Sequence, residues 1–359
     1  MLTRLFTSHA FTLWEEWASD DIMWVLEKWK ISFISFTLEH VGSWANAKLK
    51  ENYTEVTEFI LLGLTDRADL QSVLFVVFLI IYLITVISNV GMILLIRTDT
   101  NLHTPMYFFL SHLSFVDLCY ATNVTPQMLV HFLSKRKTIS FLGCFIQFHF
   151  LIALVTADYY MLTVMAYDRY VAICKPLLYG SKISRGVCLC LVAAPCIYGF
   201  ANGLTQAILM LRLSFCGPNE INHFYCADPP LLVLACSYTY VIETAIFVVA
   251  DSNLTCSLTI ILISYIFIFL AILRIHSAEG KWKAFSTRGS HLTAVSVFHG
   301  MLFCMYLRSP SETSVEEGKI LAVFYIFLSP MLNPLIYSLW NKDVKKALRR
   351  VIQENLFAK

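Results

Sequence analysis

Ionisable side chains set inside apolar sequence are the residues of this chain whose chemistry most needs an account. Asp117 lies within L-S-F-V-D-L-C-Y, Asp158 within V-T-A-D-Y-Y-M-L, and the adjacent pair Asp168 and Arg169 closes an apolar run that begins at Leu142. A charge at the centre of a bilayer costs about 2.5–3.5 kcal/mol even on lenient scales, so each of these groups must be paired, solvated or neutralised. Two carboxylates together with the amides of Asn89 and Asn333 form an oxygen-rich set that suits a hard cation such as sodium. The other reading is a protonated, hydrogen-bonded polar cluster. Asp168 and Arg169 either stop a helix at the membrane surface or hold each other in a breakable bond. No enzyme signature accompanies them: H-E-x-x-H, G-x-S-x-G and His-rich clusters are absent, and the eleven cysteines contain no C-x-x-C pair.

Only membrane-spanning elements can place such groups. Of the 359 residues, 57% are hydrophobic and 14% charged, which leaves too few polar residues to cover a soluble globule. Seven apolar segments, roughly 72–96, 106–130, 142–166, 187–209, 241–273, 287–307 and 319–339, are each long enough to cross as a helix, and the fifth is long enough to project beyond the bilayer. Strands are excluded as spans, because open sheet edges cannot be satisfied in lipid. The expected fold is an all-α membrane protein, a seven-transmembrane helix bundle. Lys and Arg sort the connections: fifteen lie on the side of Arg169 and the C-terminus, against Lys135, Arg136, Lys137, Arg212, Arg308 and Lys319 on the other. The positive-inside rule then puts the Asp168 end in the cytoplasm and the N-terminal side outside. Residues 341–359, with Val344, Leu348 and Val351 at helical spacing among basic neighbours, read as a short amphipathic C-terminal helix on inner-leaflet lipid. The net charge of +2 and the lack of a basic, aromatic-rich tract give no sign of nucleic acid.

The expected division is an atypical N-terminal extension at 1–50 without a core of its own, an extracellular segment at 51–71, the seven-helix body at 72–340 and the tail. Asn52 heads an N-x-Thr sequon on the outer side, whereas the sequons at Asn123 and Asn253 fall inside apolar runs beyond reach of glycosylation.

Several strings make a stronger argument together. M-A-Y-D-R-Y-V-A-I-C-K-P-L from Met165, P-M-L-N-P-L-I-Y from Pro330, P-M-Y-F-F-L-S-H-L-S from Pro105, K-A-F-S-T-x-x-S-H-L from Lys283 and F-x-G from Phe298 occur in one chain. This set, covering residues 51 to about 350, resembles the olfactory receptors, a branch of the rhodopsin-like G-protein-coupled receptors. The resemblance implies a plasma-membrane odorant receptor that binds a small volatile ligand, activates a heterotrimeric G protein to raise cAMP, and uses an export chaperone. It implies disulfides Cys144–Cys226 and Cys216–Cys236, where four cysteines alone would permit three pairings. It makes Asp168, Arg169, Tyr170, Tyr265, Asn333, Pro334 and Tyr337 the switch, with Arg169 held by Asp168 at rest. Two prolines in P-M-L-N-P each remove a backbone hydrogen bond and permit a kink. An acidic residue stands at both Asp117 and Asp158 in the family, although the shorter Asp158 replaces the usual Glu. Arg288, His299, Ser88 and Trp340 also depart from the family pattern; Arg288 enters the coupling end of the sixth span and joins the switch set.

Leu151 occupies the place where an aminergic receptor carries an aspartate, so no acid awaits an amine. Leu151, Ile152, Val155 and Thr156 of the third span are expected to line an apolar ligand cavity. Asn253 and Leu254 of the fifth span, and Phe298, Leu302, Phe303 and Tyr306 of the sixth, complete it. No cofactor is expected beyond a structural sodium ion. An ion-coupled transporter or channel is the competing class, since paired intramembrane acids can form an ion path, but the repeated halves and broken helices of transporters are missing.

Overall fold

A computed structural model describes residues 56–65, 67–274, 293, 295, 296, 298–300 and 312–357. Outside them lie residues 1–50, Asn52, Arg288, Leu302, Phe303, Tyr306 and most of the sixth apolar segment. Residues Glu55–Lys359 cluster as one unit.

Long apolar runs free of competing backbone partners fold as helices: Ala68–Thr98 (α1), Pro105–Leu133 (α2), Phe141–Cys174 (α3), Arg185–Leu211 (α4) and Tyr240–Leu273 (α5). Local chemistry starts several of them. Pro105 occupies the first turn of α2, where its missing N–H costs nothing. Ser140 caps α3 by accepting from the Gly143 N–H at 3.1 Å, and Ser184 caps α4 from the Val187 N–H at 3.4 Å. The last apolar segment is Glu312–Val323 (α6), a π-helical turn at Phe324–Leu328, and Ser329–Trp340 (α7). The wide turn sits just before Pro330, which cannot donate to the ladder, so the expected break takes the form of a π-bulge. Thr293, Val295, Ser296 and Phe298–Gly300 are also helical. Among the described residues, five helices are long and apolar enough to span a membrane; α2 matches them in length but carries His112, Asp117, Asn123 and Gln127.

One expectation needs correction, and two features extend the reading. The third helix does not end near Ala166 but continues to Cys174, so Asp168 and Arg169 lie within it and Asp168 is only 1% exposed. A small sheet exists between the spans: Glu58–Leu61 (β1) pairs antiparallel with Thr138–Ser140 (β2) and parallel with Glu220–Ile221 (β3). The tail forms Lys342–Phe357 (α8), capped by Asn341 Oδ1, which accepts from the N–H of Asp343 at 2.9 Å. Its apolar stripe is divided, with Val344 and Ala347 buried in the protein while Leu348 stays exposed.

Helix α3 is the axis of the bundle and packs on α2, α4 and α5. Its approach to α4 is the closest, because Gly199 and Gly203 present no side chain there. A Cβ at Gly199 would stand 2.4 Å from the Ala153 carbonyl oxygen, and one at Gly203 would stand 2.5 Å from that of His149. This is the small-xxx-small contact of membrane helices. At the opposite flank α7 packs on α1 and α2.

Candidate functional site

Two polar centres lie along α3. The first joins α2, α3 and α7. Asn333 donates from Nδ2 to Asp117 at 3.2 Å (Oδ1) and 3.1 Å (Oδ2), while Asn89 Nδ2 donates to the carbonyls of Thr85 and Pro330, both at 2.9 Å. Asp117 and Asp158 are fully enclosed and within electrostatic reach of each other. Both Asp158 oxygens and Asn89 Oδ1 are buried without a hydrogen-bond partner. Buried acceptors left over around two carboxylates are what an oxygen-liganded cation needs. No group of three or more His, Cys, Asp or Glu occurs among the described residues, so amide oxygens would complete such a site.

The second centre is the Asp168–Arg169 pair. Arg169 Nη2 lies 3.7 Å from Asp168 Oδ2, and the hydroxyl of Tyr179, just past α3, donates to Asp168 Oδ1 at 2.8 Å. Burial and the neighbouring Asp168 charge raise the Tyr179 phenol pKa, so it stays a donor. Tyr170 packs on Phe267 of α5 at 5.9 Å between ring centroids. Tyr337 of α7, itself buried, is in electrostatic reach of Tyr265, Arg169, Asp117 and Asp158. Of the residues expected to form the switch, Asp168, Arg169 and Tyr170 lie on α3, and Asn333, Pro334 and Tyr337 lie on α7.

The expected ligand residues are more dispersed. Leu151, Leu254 and Phe298 are buried in the main core with Val155 packed against it, whereas Ile152 joins a separate cluster at the disulfide end. Thr156 accepts from Tyr159 at 3.2 Å and from Asn202 of α4 at 3.1 Å. Asn253 Oδ1 accepts from Tyr198 at 2.7 Å and Tyr160 at 3.0 Å, so both polar members are engaged with protein. A shallow cleft among the described residues lies elsewhere, lined by Gly63, Met128, His131, Lys137 and Phe224.

Two features escaped the sequence reading. Gly199 and Gly203 form a plain G-x-x-x-G, a signal that was available. The second is a hydrogen-bond chain across three spans: Thr163 and Ser257 hydroxyls meet at 2.8 Å, and Ser257 meets His299 Nε2 at 3.0 Å. His299 stood out only as an unusual residue, and no spacing rule pairs it with Ser257.

Disulfides fix the far end. Cys144 pairs with Cys226 and Cys216 with Cys236, at Cα separations of 5.5 and 5.9 Å. Cys188 and Cys190 are free thiols. At the other end Arg350 of α8 clamps Asp99 through Nε (3.1 Å) and Nη2; Asn101, and then this guanidinium, hold the Asp99 carboxyl below its usual range.

A family model described as olfactory receptor matches residues 78–355. Mouse olfactory receptor 5M5 is 64% identical over 311 residues, covering 87% of this chain and 98% of the relative. Human olfactory receptor 5M10 is 63% identical over 311 residues (87% and 99%), and human olfactory receptor 5M1 is 63% identical over 308 (86% and 98%). With its motifs, its polar centres and these relatives in accord, the chain belongs to the olfactory receptor family and is a multi-pass membrane receptor rather than an enzyme.

Proposed function

We propose that the chain is an odorant receptor with seven spanning helices, its disulfide end outside the cell, and that a small, mostly apolar volatile bound in the bundle makes it activate a stimulatory G protein and raise cAMP. The observation that carries this reading is the cluster of buried Asp168 with half-buried Arg169 and Tyr179 at the end of α3, in electrostatic contact with the proline-bearing α7 through Tyr337. A guanidinium held by one carboxylate at 3.7 Å is released by a modest rearrangement, and release changes the surface offered to a partner. Tyr170, Tyr265 and Arg288 belong to that surface in this reading.

Leu151, Ile152, Val155, Thr156, Asn253, Leu254 and Phe298, with Leu302, Phe303 and Tyr306, supply the ligand cavity. Asp117, Asp158, Asn89 and Asn333 suit a sodium ion by their oxygen donors and unpaired acceptors. Such an ion would offset one of the two carboxylate charges and favour the arrangement that keeps the pair together. Asn52 is proposed as the glycosylated residue, inner-leaflet lipid as the neighbour of α8, and an export chaperone as a biosynthetic partner.

The test is a volatile panel applied to cells expressing the full chain, with cAMP read at measured surface density. A dose-dependent rise that Arg169→Ala abolishes at equal surface density is expected. A ligand-driven ion current persisting without G protein would overturn the proposal in favour of a channel.

A further inference from the structure

The chain between α4 and α5 folds back onto the disulfide end of the bundle as a lid, and residues His223 to Ala227 are all buried. Three ties hold it down. Cys226 is disulfide-bonded to Cys144, its N–H donates to Gln147 Oε1 at 3.0 Å, and the hydroxyl of Tyr225 meets that of Tyr325 in the π-turn. Phe224 packs on Phe327 at 5.9 Å between centroids.

Opposite the lid, Lys319, Ala322 and Ile326 fall on one face of the helix and are all buried, so Lys319 turns inward. Lysine usually carries its ammonium out to water. Here the residue is 5% exposed and acts electrostatically on His223. His223 is 6% exposed, its ring lies edge-on to Tyr225 at 4.3 Å, and its buried Nδ1 has no hydrogen-bond partner. Burial first, and then the Lys319 charge, push the imidazole pKa down to about 3, which leaves a neutral ring with one unused nitrogen. Lys319 has interactions of its own within the chain, so a ligand group would join an existing polar environment. The two side chains together present a cation beside a neutral imidazole, under a cover of aromatic rings.

We infer that the lid and Lys319, in the second half of α6, form an acid-recognition subsite, in which Lys319 and His223 hold the carboxylate of a small aliphatic acid whose apolar tail enters the bundle. This rests on the reading of the chain as an odorant receptor and replaces its generic apolar ligand with a chemical class. A carboxylate can accept from an ammonium and from an imidazole N–H at once, and charge-assisted hydrogen bonds are the strong ones. An ester of the same chain offers one weakly accepting carbonyl.

The experiment compares hexanoate and octanoate with their methyl esters at near-neutral pH, on the full chain, reading cAMP at matched surface density. The acids should be at least about tenfold more potent than the esters, the ratio expected when a charge pair replaces a neutral hydrogen bond. Lys319→Gln should erase that ratio while leaving the ester response, and Lys319→Arg should retain it. If Lys319→Gln does not reach the surface, His223→Ala serves instead and should lower acid potency alone. Equal potency of acid and ester, or an acid preference unchanged by Lys319→Gln, overturns the subsite. A receptor that answers neutral volatiles but no acid also overturns it and leaves the receptor reading standing, whereas silence to every ligand at normal surface density removes both.

Discussion

Substituting Gly199 by alanine tests the packing on which the bundle depends. The new methyl group would meet the Ala153 carbonyl oxygen at 2.4 Å and the Ala157 nitrogen at 3.3 Å. Both belong to α3 backbone, which cannot swing aside as a side chain can, so α4 must retreat by about half an ångström or more; overpacking of this kind costs about 1–3 kcal/mol. Retreat also stretches the nearby Asn202–Thr156 hydrogen bond of 3.1 Å, worth about 0.6 kcal/mol on average between membrane helices. Alanine's better helix propensity returns about 1 kcal/mol. The expected net loss is about 0.6–2.6 kcal/mol, read as a lower melting temperature of the purified receptor. Gly91→Ala is the internal control, because nothing lies within 4 Å of its added methyl, and it should be neutral or stabilising. If Gly199→Ala melts no lower than Gly91→Ala, the close contact between α3 and α4 is not what the geometry says it is.

Cys144→Ser removes the tie between α3 and the lid and should cost about 2–5 kcal/mol, seen as loss of surface expression; normal surface density would contradict this. Tyr179→Phe deletes a 2.8 Å donor to Asp168, loosening the grip on Arg169, and should raise basal cAMP several-fold, since each 1.4 kcal/mol shifts a minor active population about tenfold. Unchanged basal signalling would mean that Tyr179 does not support the resting pair. For pH, His223 binds fewer protons folded than unfolded between about 3 and 6.5, so its contribution falls as pH drops through that window, by up to about 1.4 kcal/mol per unit. Asp228, pushed up by burial to about 6 from 3.8, acts with the opposite sign across its own window. The His223 effect is therefore read as wild type minus His223→Gln, and melting curves of the two that run parallel from neutral pH to about pH 4 would refute it.

Span positions within the described residues were legible because hydrocarbon demands uninterrupted apolar helix, and residue order shows that directly. The same signal misplaced the end of the third helix. Tyr167 to Tyr170 look like an interface by composition, but Asp168 is paired inside the fold and the helix runs on. The sheet was illegible for the converse reason: β1 is four residues long, and its partners are remote in sequence. Polar residues placed by helical position alone were the least secure. Asn253 looks like a ligand contact on its own helix, yet the neighbouring tyrosines of α3 and α4 claim its oxygen, and no one-dimensional pattern reveals which helix faces which. By position alone Lys319 reads as a loop charge, and only the inward turn of α6 reveals it as buried.

Strand β1 also imposes an order on synthesis. Leu61 pairs with Ile221, a residue made 160 positions later. At about 5–20 residues per second, the ribosome leaves that edge open for on the order of ten seconds. Cys144 waits for Cys226 over much of the same interval. During it the nascent chain shows an open strand edge and a free thiol to the compartment that receives them. Open edges of that kind invite pairing with other chains. The cap at the disulfide end is thus assembled only after four helices have been made, and its completion is a natural checkpoint for export.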